Sequence, residues 1–81
     1  MYQVELTKLA KQFLKKLSQQ NAELILKKVH TLRDNPFPKL KKLKGSKLWR
    51  LRIANYRAVI DVIISGKKIR VLRIGHRKNI Y

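Results

Sequence analysis

The 81 residues hold 21 Lys plus Arg against 4 Asp plus Glu, a formal net charge of +17. Such an excess is far beyond what solubility requires and opposes compaction by self-repulsion, so it implies a polyanionic partner. The absence of cysteine excludes a disulfide framework and thiolate chemistry, and 44% apolar residues are too many for a disordered basic tail.

The length fits one domain, residues 1–81, with a modest core. The charge is uneven: residues 1–40 carry eight basic and three acidic groups, and residues 41–81 carry thirteen and one. Nucleic acid is therefore the leading partner class. An anionic membrane surface would call for a basic amphipathic helix or a lipid anchor, whereas the densest charge here falls in strand-like sequence. No apolar run approaches the roughly 20 residues of a membrane span, since Asp61 interrupts the longest. The first residues alternate and lack a long apolar core, so no signal peptide is expected and the cytoplasm is the expected location.

In chain order, Tyr2, Val4 and Leu6 alternate with Gln3 and Glu5, which predicts a short first strand. Thr7 offers a hydroxyl N-cap to a first helix that ends near Ser18, with Leu9, Ala10, Phe13, Leu14 and Leu17 inward and Lys8, Lys11, Lys15 and Lys16 outward. A second helix is predicted over about residues 20–33, with Ala22, Ile25, Leu26, Val29 and Leu32 inward and Lys27 and Lys28 outward. Pro36 and Pro38 stop it, because proline restricts its predecessor and cannot donate to the helix ladder. Two antiparallel helices joined by a short turn are expected.

Residues 39–47 read as a basic loop around Gly45, followed by three strands at roughly 48–54, 57–64 and 69–75. Asn55 with Tyr56 marks the first turn. Ser65, Gly66, Lys67 and Lys68 mark a second, which is expected to use the freedom of Gly66 at positive φ. The predicted core faces are Trp49, Leu51 and Ile53; Ala58, Ile60, Val62 and Ile64; and Leu72 with Ile74. The opposite faces carry Arg50, Arg52, Arg57, Asp61, Arg73 and Arg77, together with Val59, Ile63, Ile69 and Val71. The expected fold is α+β: a strand, a two-helix hairpin, and a three-stranded antiparallel sheet packed on the helices.

The usual catalytic constellations are missing. His30 and His76 are far apart and lack cysteines or paired carboxylates at ligand spacing, so neither a metal nor another cofactor is expected. The three glycines are isolated and form no phosphate loop. What remains is arginine chemistry: a guanidinium stays charged, offers a rigid fork of donors, and holds phosphate or charge developing on a phosphorane. By spacing alone the arginines suit a ligand-binding face and a solvated outer face equally, and neither spacing nor charge separates a binder from a nuclease.

Lys42-Leu43-Lys44-Gly45, then Leu48-Trp49-Arg50-Leu51-Arg52-Ile53, then Asn55-Tyr56-Arg57-Ala58-Val59-Ile60, and finally Ile74-Gly75-His76-Arg77-Lys78-Asn79-Ile80-Tyr81 resemble the RelE/ParE toxin family along essentially the whole chain. The resemblance implies the RelE-like, microbial-ribonuclease type of fold. It also implies the toxin role of a type II toxin–antitoxin pair, blocked by a RelB-like cognate antitoxin. In RelE-type members that role is ribosome-dependent, metal-independent cleavage of messenger RNA in the decoding site by 2′-hydroxyl attack. ParE-type members share the fold and act on DNA gyrase. A plain basic nucleic-acid-binding module is the other alternative.

Carried over by position, the resemblance implies catalytic roles for Arg50, Arg52, Arg57, Arg77 and Tyr81, the last stacking on a base. Arg73, Lys44, Lys47 and Lys78 are expected to contact messenger or ribosomal RNA. His76 is a candidate acid or base, since histidine titrates near neutrality, although strict alternation puts it on the core side. Arginine stands at positions 50 and 52 where RelE-type members often carry lysine, and arginine resists deprotonation more than lysine does.

Overall fold

A computed structural model describes residues 1–77. The chain runs β1 (Gln3–Leu6), α1 (Lys8–Lys15), α2 (Gln19–His30), a 3-10 turn (Phe37–Lys39), β2 (Lys41–Lys42), β3 (Trp49–Ile53), β4 (Tyr56–Ile63) and β5 (Lys68–His76). The strands form one five-stranded sheet in the order β1-β5-β4-β3-β2. The sheet is thus wider than the expected three strands. β1 joins it parallel to β5, and β2 adds an antiparallel rung to β3 at Lys41↔Arg50 and Lys42↔Trp49. Two residues of β2 are too few for an alternation to show in sequence.

Side-chain hydroxyls start both helices. The Thr7 oxygen accepts from the Ala10 amide at 3.3 Å, and the Ser18 oxygen accepts from the Asn21 amide at 3.2 Å. Each satisfies an amide that has no partner within the first turn. Ser18 therefore begins α2, and α1 stops earlier, at Lys15 with Lys16 as its C-cap. Ala10 and Leu14 of α1 and Ile25 and Val29 of α2 are buried in one core with Leu32, Leu40, Leu51, Ile53, Tyr56, Ala58, Ile60, Ile69, Val71 and Ile74.

Ile69 and Val71 correct the expected faces. Both are fully buried, although strict alternation from Ile74 puts them outside. The ladder pairs Val59 with Arg73 and then Ile60 with Val71, so Leu72 is an extra residue and the phase of β5 reverses there. This is a β-bulge, and it lets both halves of the strand present apolar residues to the helices. Thr7 anchors the bulge: its hydroxyl donates to the Leu72 carbonyl at 2.6 Å, and its amide donates to the Val71 carbonyl at 3.1 Å. Ile64 also departs from expectation. It lies beyond the end of β4 and is 66% exposed.

The turns place positive φ elsewhere than predicted. In the β4–β5 connection Lys67 adopts φ 50°, while Gly66 lies outside the left-handed region. In the β3–β4 hairpin the two-residue link is Ala54-Asn55, with Ala54 at φ 51° and Tyr56 already paired to Ile53. Gly45, at φ 73°, turns the chain between β2 and β3, where the Leu43 amide donates to the Leu48 carbonyl at 2.9 Å. No helix among the described residues is long and apolar enough to cross a membrane.

Candidate nucleic-acid interface

Directly paired residues on neighbouring strands point to the same side of a sheet. Arg50 pairs with Val59, Arg52 with Arg57, and Arg57 in turn with Gly75. Lys41 pairs with Arg50 on the outer side. The register therefore gathers Lys41, Arg50, Arg52 and Arg57 on the face opposite the core. Gly75 leaves the far side of Arg57 without a side chain. Val59, flanked in register by Arg50 and Arg73, is buried although it belongs to this face.

These residues line a pocket of about 240 Å³ with Lys28, Lys39 and Leu51. Lys28 comes from the last turns of α2 and Lys39 from the 3-10 turn. Among the described residues the lining thus contains six cationic side chains and no acidic side chain. Cationic side chains concentrated in one cleft favour the entry of an anion. Sequence pattern does not single out Lys28, Lys39 or Lys41. Lys28 reads there as an outward helix residue, and the other two fall in a segment without periodicity.

Arg57 also lines a second pocket of about 520 Å³, with Asn55, His76 and Arg77. The Arg77 amide donates to the Asn55 carbonyl at 3.0 Å, which closes the end of the sheet. His76 pairs with Tyr56 on the core side, as alternation implies. Its ring lies 5.1 Å from that of Tyr56 and 5.8 Å from that of Phe13. It is nonetheless exposed, because β5 runs past the end of the core. Packing and access to the pocket coexist at this one residue.

The other candidate residues lie apart. Arg73 borders a separate groove between α1 and β5, with Leu9, Gln12, Phe13, Lys16 and Ile74. Lys44 and Lys47 are exposed around the Gly45 turn, and the Lys47 carbonyl accepts from Lys42 Nζ at 3.1 Å. That ammonium sits 4.6 Å from the centre of the Trp49 ring. Lys78 and Tyr81 lie outside the described residues.

The carboxylates of the sheet are remote from the cationic pocket. Asp61 is four residues from Arg57 along β4, about 13 Å at strand rise, and stands opposite Arg70. Glu5 is held at the β1 edge by Lys68 at 3.3 Å and Arg70 at 3.6 Å. Neither reaches an anion bound at Arg57. Among the described residues no group of three or more His, Cys, Asp or Glu is placed to hold a metal ion.

A family model described as the ParE toxin of type II toxin–antitoxin systems matches residues 4–81. The chain belongs to the RelE/ParE toxin family. The RelE1 toxin-family protein of Methanocaldococcus jannaschii is 32% identical over 99% of this chain and 94% of its own length. Solved relatives share the fold across nearly the whole chain. The RelE–RelB complex of Pyrococcus horikoshii matches with a TM-score of 0.83 at 26% identity, covering 96% of this chain and 97% of that one. The RelBE2 toxin–antitoxin complex of Mycobacterium tuberculosis matches with a TM-score of 0.86 at 23% identity, covering 94% and 98%. Strand, helix pair and antiparallel sheet therefore follow the RelE plan, with β1 and β2 completing the sheet.

Proposed function

We propose that this toxin-family chain is a ribosome-dependent endoribonuclease that cleaves messenger RNA by attack of a ribose 2′-hydroxyl on the adjacent phosphate. The observation that carries the reading is the convergence of Arg50, Arg52 and Arg57 in one pocket, with Arg77 sharing the neighbouring pocket through Arg57. The reaction forms the 2′-oxygen to phosphorus bond, breaks the bond to the 5′-oxygen, and leaves a 2′,3′-cyclic phosphate and a 5′-hydroxyl. One proton leaves the 2′-hydroxyl and one is taken up by the departing 5′-oxygen.

Negative charge grows on the non-bridging oxygens as phosphorus gains its fifth bond. Guanidiniums aimed at those oxygens stabilise that charge without reorganising during the reaction. Arg57, which borders both pockets, is assigned to this role with Arg77, and Arg50 and Arg52 to substrate positioning. Proton transfer falls to His76, which lines the pocket with Arg57 and Arg77. The proposed charge stabilisation rests on guanidiniums and calls for no metal. Tyr81 is proposed to stack on the base beside the scissile phosphate, since aromatic faces hold unstacked bases.

The RelE–RelB complexes among the structural relatives support a RelB-like antitoxin as the cytoplasmic partner of this chain. A second reading, inhibition of DNA gyrase by contact, is favoured by the ParE name of the matching family model. Primer extension on translated messenger RNA, with and without ribosomes, tests the first reading. New 5′ ends that require both the protein and the ribosome are expected. Intact messages together with loss of gyrase supercoiling would replace it with the second.

A further inference from the structure

The cationic pocket presents more basic groups than the single phosphate of the cleavage reaction can engage. A phosphodiester brings one negative charge, and six cationic side chains surround the pocket. They come from three directions: Arg50, Arg52 and Arg57 from β3 and β4, Lys41 from the edge strand β2, and Lys28 and Lys39 from outside the sheet. Arg52 and Arg57 are direct cross-strand partners, whereas Lys41 is two strands from Arg57 and offset by two residues. At sheet spacing that places the Lys41 and Arg57 backbones roughly 12 Å apart. The pocket therefore has two walls, an arginine wall on the inner strands and a lysine wall at the edge.

The walls also differ in chemistry. Guanidinium forks give directional, bidentate contacts, whereas ammonium groups act as hydrated point charges on flexible stems. Lys28, Lys39 and Lys41 are all exposed, as befits groups that meet a backbone without shaping a reaction. We propose that Lys28, Lys39 and Lys41 form a second phosphate subsite, which holds a neighbouring phosphate of the same RNA strand while Arg57 engages the scissile one. This inference rests on the endoribonuclease reading, and it makes the edge of the sheet the path by which the strand leaves the reacting centre.

The test uses two single-stranded probes made uncleavable by 2′-O-methylation: a uridine dinucleotide, which has one internucleotide phosphate, and a uridine decamer. Replacing Lys28, Lys39 and Lys41 together by glutamine is expected to weaken the decamer severalfold at about 0.1 M salt. The slope of log affinity against log salt is expected to fall by about 0.7 for each phosphate that the variant no longer neutralises. Dinucleotide affinity is expected to hold in this variant and to fall in Arg57→Ala. Glutamine at Lys8, Lys11 and Lys15 removes the same charge from exposed positions of α1 that line neither pocket of Arg57, and is expected to leave the decamer slope near that of the unaltered protein.

Equal losses on both probes would place the lysines on the scissile phosphate and overturn the second subsite. An unchanged decamer slope would overturn it as well, and would assign the lysine wall to ribosomal RNA or to protein. So would failure of the unaltered protein to bind the decamer. Cleavage of translated messages by the unaltered protein is scored separately, so the subsite can fail while the endoribonuclease reading stands.

Discussion

Arg52 and Arg57 stand directly opposite each other on β3 and β4, two guanidiniums in a cross-strand position where oppositely charged or apolar pairs stabilise a sheet. Like charges placed this way are destabilising, and added salt screens the repulsion. Arg52→Thr is therefore expected to raise the melting temperature by a few degrees at low salt, which corresponds to a few tenths of a kcal/mol. The gain is expected to shrink in high salt. Thermal unfolding at two ionic strengths measures it, and a lower melting temperature for Arg52→Thr at low salt would show that the pair is not repulsive.

Thr7 caps α1 and also ties it to the β5 bulge through the 2.6 Å hydrogen bond to the Leu72 carbonyl. Thr7→Val keeps the shape and loses both functions. The expected cost is about 1–2 kcal/mol, or roughly 4–8 °C per kcal/mol for a domain of this size. Thr7→Ser retains a hydroxyl and is expected to recover most of the loss. Equal melting temperatures for the valine and serine variants would remove the tie from the account of stability.

The arginine face, and not α1, is expected to govern activity. Lys11 and Lys15 are exposed on α1 and Lys16 at its C-cap, and none lines the pockets that contain Arg57. Their exchange for glutamine is expected to change growth arrest by less than about twofold, since distant exposed charges are screened. Reversal of Arg52 and Arg57 to glutamate is expected to abolish it. Colony counts after induction, at matched protein levels, provide the comparison.

Ser18 reads in sequence as the end of the first helix, whereas it caps the second. The start of α1 and the strand segments from Trp49 onward were legible because each depends on local signals: a hydroxyl before an apolar-periodic run, or an alternation of arginine with aliphatic residues. The bulge at Leu72 was not, since an extra residue leaves composition unchanged and shows only when β4 fixes the register of β5. The same reason hid part of the site. Arg50, Arg52 and Arg57 share a period, whereas Lys28, Lys39 and Lys41 reach the pocket from an α-helix, a 3-10 turn and a two-residue strand, which no single periodicity connects.

The turns give a paired stability test. A Cβ at Gly66 meets nothing nearer than Ile63 Cγ2 at 3.9 Å, and its φ lies outside the left-handed region. Gly66→Ala is expected to stabilise by about 0.4–1 kcal/mol by restricting the unfolded chain. Gly45 has open space around it but adopts φ 73°, so Gly45→Ala is expected to cost about 1 kcal/mol through backbone strain alone. Denaturant midpoints of opposite sign are expected; the same sign for both would contradict the assigned turn conformations.

Arg57 borders both pockets, and this position separates a transition-state contact from a clamp. Contacts that strengthen as charge develops lower the chemical step when removed, whereas a uniform phosphate contact lowers affinity and the salt slope and leaves the saturated rate alone. In single-turnover cleavage at saturating ribosome concentration, Arg57→Ala is expected to slow the reaction by about a hundredfold or more, with ribosome affinity reduced much less. Arg77→Ala is expected to follow the same pattern. Arg57→Lys keeps the charge but loses the fork, so it is expected to recover only part of the rate. Saturated rates equal to that of the unaltered protein would reduce both arginines to binding contacts and move the chain to the gyrase-directed reading.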